Sequence, residues 1–174
     1  LPGHLGVDGY YHMKVASLML EEGPWVDIRW LPFTVLGEYG PDHHWLWHLL
    51  IAPFGLIDDP AHALKWATIG LGALVPAVLN LAGRMLGIPY APLFALLAVV
   101  AADQLPFRFL MLRAQNIAVI FMALGTVVLV KQRPIALGVV TFLFVQAYHG
   151  AVVLGPIVAL YLVLSLLSAR RFPL

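Results

Sequence analysis

The apolar segments that follow position 62 constrain the fold of this chain most. They are separated only by short breaks that carry Gly, Pro or charge, and several of them approach the roughly 18–20 residues needed to cross a bilayer. Hydrophobic residues make up 61% of the chain and charged residues 11%, against roughly 25% charged residues in an ordinary soluble domain. The sequence therefore predicts an all-α, polytopic helical membrane protein.

About five transmembrane helices are expected in residues 63–174, which we interpret as a transmembrane helical bundle. The predicted spans are 63–84, 90–106, 109–130, 134–149 and 151–169. Lys and Arg are enriched in cytoplasmic loops, and here they follow the first, third and fifth spans, as Arg84, Lys131, Arg133, Arg170 and Arg171. Alternation then places residues 1–62, the 103–113 turn and His149 on the extracytoplasmic face of a multi-pass protein in a cell inner membrane or its equivalent.

Residues 1–62 are predicted to form an extracytoplasmic loop with two short interfacial helices. Eight of the nine acidic residues and six of the seven histidines lie there. A helix at about 10–22 would place Tyr11, Val15 and Leu18 on one face, and a helix at about 45–56 is too short to span. Aromatic side chains favour headgroup level, so this position is expected for Trp25, Trp30, Trp45 and Trp47.

Ionisable groups near a bilayer are costly, and each is a functional hypothesis. The candidate site residues are Asp8, His12, Asp42, His44, Asp103, Arg108, Arg113 and His149. Arg108 or Arg113 could hold an anionic headgroup, because guanidinium binds phosphate in bidentate fashion. Simpler roles stay open: Asp8 could cap the first helix, Asp103 could pair with one arginine, and His149 could cap a helix end.

A metal site at Asp42-His43-His44 is chemically reasonable, since imidazole and carboxylate bind divalent ions. Adjacent histidines on a helix point in different directions, however, which weakens this reading. His48 lies one turn after His44 and shares its face, but the Glu of a zinc-hydrolase motif is missing. There is no cysteine, and no basic patch indicates nucleic-acid binding.

Several stretches resemble one enzyme superfamily. DGYYHMKVASLMLEEGPW resembles the Asp-x-Tyr-Tyr-His-x-Arg/Lys stretch in the first external loop of the oligosaccharyltransferase catalytic subunit. DHHWLWHLLIAPFG resembles the second short helix of that loop in the broader GT-C glycosyltransferase superfamily, which includes the protein O-mannosyltransferases. FLMLRAQNIAVIFMALGTVVLVKQRP and FVQAYHGAVVLGPIVALYLV resemble later spans of such proteins.

The resemblance implies a glycosyltransferase that moves a sugar from a polyprenyl-phosphate-linked donor to an acceptor on the extracytoplasmic face. Asp8 would then be the general base on the acceptor or help to hold a divalent metal such as Mg²⁺ or Mn²⁺, while an arginine or the metal stabilises the departing lipid phosphate. The other candidate residues would line the substrate cavity, and membrane lipids would surround the bundle.

Two features depart from the superfamily pattern. Trp45 and Leu46 stand where protein O-mannosyltransferases have two prolines, and Gln115-Asn116 stands where oligosaccharyltransferases have a second acid, which puts a shared metal site in doubt. The resemblance also implies that the first membrane helix and the C-terminal part of the family are missing, so that this portion would be inactive alone. A non-catalytic accessory subunit of a membrane complex and a transporter module are the alternatives.

Overall fold

The computed structural model describes residues 8–28, 33, 37, 42–101 and 104–171. Within these ranges every regular element is a helix and there is no strand, which confirms the predicted all-α class. The helices are α1 (Asp8–Glu22), α2 (Trp45–Ile51), α3 (Pro60–Met85), α4 (Ala91–Val100), α5 (Gln104–Phe109), α6 (Gln115–Val130), α7 (Pro134–Ala147) and α8 (Leu154–Arg171), with 3-10 helices at Ala52–Leu56 and His149–Val153.

Two helical segments in the described ranges are long and apolar enough to cross a membrane, Pro60–Met85 and His149–Leu167. The apolar helices α4, α6 and α7 have 10, 16 and 14 residues. At 1.5 Å per residue, even α6 reaches only about 24 Å, short of the roughly 30 Å hydrocarbon core. The expectation of five transmembrane helices is therefore not confirmed.

Local sequence explains where the central helix α3 begins and ends. Pro60 occupies its first turn, where the missing amide hydrogen costs nothing. The Asp59 carboxylate accepts a hydrogen bond from the backbone amide of Ala61 at 2.9 Å and so caps the helix. Gly87, with a φ of +72°, turns the chain after the last helical residue.

Helix α3 forms the centre of the bundle and packs against α4 on one side and α6 on another. Helix α7 packs against α6, and α2 packs against α7. Helix α1 lies across α2, the first 3-10 helix and the beginning of α3. The loop helices are thus packed into the bundle, which encloses His12 and His48 among the buried residues.

The tryptophans of the first loop occupy two different environments. Trp25 is 77% exposed and stacks on Trp45, with ring centroids 4.9 Å apart. Trp47 is fully buried in the same apolar cluster as Leu112 and Phe144. Packing of α2 against α7 encloses the Trp47 ring, so this side chain faces the interior of the bundle and is not exposed to lipid headgroups. Trp30 lies outside the described residues.

The beginnings of α3 and α6 lie at one end of the bundle, since Leu64 and Leu112 both flank Gly9 of α1. An apolar cavity of about 250 Å³ lies elsewhere, between α3, α4 and α6, and Leu79 and Thr126 contribute to its lining. Leu79 is fifteen residues, or about 22 Å, along α3 from Leu64. This cavity is therefore separate from the polar groups described next.

Candidate functional site

An ion pair joins the start of α1 to the segment before α6. The Asp8 Oδ2 atom lies 2.7 Å from Arg113 Nη2, and the two side chains are 46% and 26% exposed. The Arg113 Nε atom is buried and donates to no acceptor among the described residues. The pair is therefore accessible from outside, and Arg113 retains hydrogen-bonding capacity beyond its contact with Asp8.

A hydrogen-bonded series that we name the relay consists of Asp42, His48 and His12. The Asp42 Oδ2 atom lies 2.5 Å from His48 Nδ1, and His48 Nε2 lies 2.7 Å from His12 Nδ1. The other carboxylate oxygen of Asp42 accepts the backbone amide of His44 at 2.9 Å. The relay connects the turn before α2 to the buried face of α1.

Burial and hydrogen bonding set the charges in the relay. Burial alone would raise the pKa of the Asp42 carboxyl, but the hydrogen bond and charge of His48 and the His44 amide outweigh it, and the pKa is lowered. Burial, together with the neighbouring His48 and His44, lowers the pKa of His12 to about 3. Ionised Asp42 therefore accepts a hydrogen bond from His48, and His12 is a neutral imidazole at pH 7.

His12 connects the relay to the ion pair. It follows Asp8 by four residues in α1, so the two side chains lie one turn apart on the same face. Arg113 pairs with Asp8, and its positive charge is one of the influences that lower the His12 pKa. A carboxylate, a guanidinium and a neutral imidazole are thus grouped at one end of the bundle.

Three further histidines, which we name the histidine triplet, meet beside the relay. Each of His43, His44 and His149 offers one ring nitrogen, and these nitrogens all lie within 4.8 Å of one another. His43 and His44 lie in a turn before α2 rather than on a helix, so the objection that adjacent helical histidines diverge does not apply. The triplet could hold a metal ion.

His44 is the buried member of the triplet. Its residue is 8% exposed, and its Nδ1 atom has no hydrogen-bond partner among the described residues. Burial lowers its pKa to about 4, with His43, His48 and His149 adding to the effect. On one side the Tyr148 ring stacks on His44, with centroids 5.6 Å apart and planes inclined by 12°.

Gly150 has no side chain and so leaves room for the Tyr148 ring to lie over the triplet. A Cβ atom at Gly150 would overlap the Tyr148 ring. The backbone at Tyr148 is extended, between the end of α7 and the second 3-10 helix. This break in the helical path brings His149 against His44, with ring centroids 5.1 Å apart.

The structure brings most of the predicted site residues together. Asp8 contacts Arg113 and lies one turn from His12. Asp42 is connected to His12 through His48. The His44 ring contacts the rings of His12 and His149. Arg108 is exposed and makes no ion pair with another described residue. Asp103 lies outside the described residues.

Sequence reasoning left three participating residues out of the predicted site. His48 is fully buried at the centre of the relay, and its spacing of four residues from His44 was the available signal. His43 was weighed only as part of a local metal motif. Tyr148 carried no signal, because its role depends on contact with a residue more than one hundred positions away.

Comparisons with protein-family models, with curated proteins and with solved structures found no match for this chain. The functional argument therefore rests on the site itself.

Proposed function

We propose that this chain carries the site of a GT-C-type membrane glycosyltransferase that uses a polyprenyl-phosphate-linked sugar. The observation that carries the proposal is the accessible pair formed by Asp8 and Arg113, 2.7 Å apart. Transfer from a lipid phosphate needs a base for the acceptor and a cation for the leaving group. Asp8 supplies the base and Arg113 supplies the cation, and the two lie beside apolar helices against which a lipid chain can pack.

Arg113 is the proposed phosphate-binding residue. Its Nη2 atom contacts Asp8, and its Nε atom is buried without a partner in the described residues. A phosphodiester oxygen bound to the exposed part of the guanidinium would place the charge that develops on the departing polyprenyl phosphate next to a cation. Planar bidentate binding also fixes the direction in which the lipid phosphate leaves.

Asp8 is the proposed general base. Its carboxylate removes the proton of an acceptor hydroxyl while that oxygen forms a bond to the anomeric carbon of the sugar. The bond between the anomeric carbon and the phosphate oxygen breaks, and the electron pair leaves with the polyprenyl phosphate. Asp8 is 46% exposed, which leaves room for an acceptor to approach.

The relay is proposed to position His12 beside the sugar. His12 is 7% exposed and is fixed by its hydrogen bond to His48, which Asp42 orients in turn. Because His12 is neutral, one ring nitrogen can donate to or accept from a sugar hydroxyl without adding charge. In this proposal His44 and His149, which lie beside the relay, also border the substrate.

The proposed membrane arrangement is multi-pass, with the site on the extracytoplasmic face. It is supported by two helices that have the length and composition of a span. Arg84 lies in the last turn of α3, and Lys131 and Arg133 follow α6, so these three cations are away from the site at the beginnings of those helices. Helices α6 and α7 carry no charged residue, which favours an enzyme with a site at the membrane surface over a transporter with a polar path through it.

Mg²⁺ or Mn²⁺ does not fit Asp8 and Asp42, the two described carboxylates at this site. Both ions prefer oxygen ligands. Both oxygens of Asp42 are engaged by His48 and the His44 amide, and Asp8 faces the cation of Arg113. No step of the proposed transfer therefore uses such an ion.

The proposal is tested with the full chain in membranes and a panel of polyprenyl-phosphate hexoses and pentoses labelled in the sugar. Binding of the lipid and release of the label to acceptor or water are measured for wild type, Asp8→Asn and Arg113→Gln. Arg84→Gln is the matched control, since Arg84 is an exposed arginine that hydrogen-bonds only Asn80 among the described residues. Removal of the base should reduce turnover by about 10²–10⁴-fold while binding persists.

Loss of binding in Arg113→Gln, with Asp8→Asn still binding but not transferring, would support both roles. Equal transfer in wild type and Asp8→Asn would exclude Asp8 as the base. If wild type binds none of the lipid sugars, the transferase proposal fails, and an accessory role in a membrane complex becomes the better account.

A further inference from the structure

Three imidazole side chains converge outside the ion pair and the relay, and the proposed transfer does not use them as a group. His43 and His44 come from the turn before α2, and His149 comes from the 3-10 helix after α7. Their ring nitrogens lie within 4.8 Å of one another although His149 is more than one hundred positions from His43 and His44. Tertiary packing of α2 on α7 creates this arrangement.

We propose that the histidine triplet binds a nitrogen-preferring divalent transition-metal ion of the Zn²⁺ type. The independent observation is the His44 Nδ1 atom, which is buried and has no hydrogen-bond partner among the described residues. A buried polar atom of this kind carries an uncompensated desolvation cost. A metal ion bound to the His44 ring gives the otherwise unpaired imidazole a strong partner.

The composition of the triplet selects the metal. Three imidazoles with no carboxylate suit Zn²⁺, Cu²⁺ or Ni²⁺ and are a poor set for Mg²⁺ or Ca²⁺. Three protein ligands leave a fourth tetrahedral position for water or a substrate oxygen, as in catalytic zinc sites. His43 and His149 are exposed, so this open position would face outward.

The geometry requires only a small movement on binding. Bonds of about 2.0–2.1 Å at tetrahedral angles place ligand nitrogens about 3.4 Å apart, and the three ring nitrogens lie within 4.8 Å of one another in the structure. His44 is fixed by the stacked Tyr148 ring and by its backbone hydrogen bond to Asp42. The two exposed histidines can rotate toward it, so His44 acts as the fixed ligand and His43 and His149 close around the ion.

The test is metal binding by the full chain, purified in detergent without a polyhistidine tag and treated with a chelator. Zn²⁺ affinity is measured by titration calorimetry, and the Co²⁺-substituted protein is examined for the visible absorption bands of a tetrahedral site. Variants His43→Ala and His149→Ala remove exposed side chains, so folding should be retained, and circular dichroism checks this. His62→Ala is the matched control, because His62 is an exposed histidine paired with Asp59.

Wild type and His62→Ala should bind one Zn²⁺ per chain and show tetrahedral Co²⁺ bands. Each triplet variant should lose at least about tenfold in affinity, the lower end of the effect seen even for loss of an outer-shell partner, and the double variant should lose the Co²⁺ bands. The proposal is overturned if wild type binds no Zn²⁺, or if the double variant binds it as tightly as wild type. Neither readout depends on sugar transfer, so failure here is distinguishable from failure of the proposed function.

Discussion

The Nδ1 atom of His12 lies 2.7 Å from the Nε2 atom of His48, and this contact joins the first loop helix to the second across thirty-six positions of sequence. Both rings are buried. A buried pair of imidazoles that is anchored by a carboxylate makes the stability of this end of the molecule sensitive to acid.

The pKa of His12 predicts the direction of that sensitivity. Burial lowers it from 6.5 to about 3, so between those values the unfolded chain binds a proton at His12 that the folded chain does not. The free energy of unfolding therefore rises with pH in this window and falls as acid is added. We expect the Tm of the metal-free protein in micelles to decrease between about pH 7 and pH 4.5.

The contribution of His12 is isolated by His12→Gln, which should flatten this pH dependence. One group contributes at most about 1.4 kcal/mol per pH unit to the slope. His62→Gln, at an exposed histidine, should leave the slope unchanged. An identical slope in wild type and His12→Gln would show that other groups cause the acid sensitivity.

The ion pair between Asp8 and Arg113 is expected to contribute little to folding. Both side chains are partly exposed, and exposed pairs typically contribute about 0.2–1 kcal/mol. A double-mutant cycle with Asp8→Asn and Arg113→Gln, followed by thermal unfolding, should give a coupling energy in that range. A coupling of several kcal/mol would indicate a structural ion pair and would weaken the proposed catalytic roles.

Gly9 allows α1 to approach the bundle closely enough for that ion pair to form. A Cβ atom there would lie 2.7 Å from Leu64 Cδ1 and 3.6 Å from Leu112 Cβ. Gly9→Ala should therefore destabilise the fold by about 1–3 kcal/mol, the usual cost of overpacking, and reduce binding of the lipid phosphate. Gly138→Ala is the control, since a Cβ atom at that helical position meets nothing within 4 Å, and it should be neutral or slightly stabilising. Equal unfolding temperatures for the two variants would contradict this view of Gly9.

Gly150 is expected to control the histidine triplet through Tyr148. Alanine at this position would overlap the Tyr148 ring and displace it from its stack on His44. Gly150→Ala should therefore weaken Zn²⁺ binding by about 10–100-fold, as for the loss of an outer-shell partner. Gly155→Ala, where a Cβ atom meets nothing within 4 Å, should bind Zn²⁺ like wild type. An unchanged Zn²⁺ affinity in Gly150→Ala would show that the stacked Tyr148 ring does not support the triplet.

The sequence by itself determined the all-α class and the orientation of α1. The helical spacing of Tyr11, Val15 and Leu18 predicted a shared face, and these side chains do belong to one packed cluster with Trp45. Periodicity is reliable for such questions because it depends only on the local geometry of the helix. The lengths of the later helices were less predictable, since apolar composition continues through breaks such as the one after Val100.

Only the tertiary structure decided which polar groups meet. Spacing along the chain could not show that Arg113 pairs with Asp8, that His48 contacts His12, or that Trp47 is enclosed by the bundle. These contacts depend on how α1 and α2 pack across α3 and α7, and many packings are compatible with the same apolar pattern. The physical reason is that a hydrophobic face specifies burial without specifying its partner, whereas an ion pair or a hydrogen bond requires two particular atoms within about 3 Å.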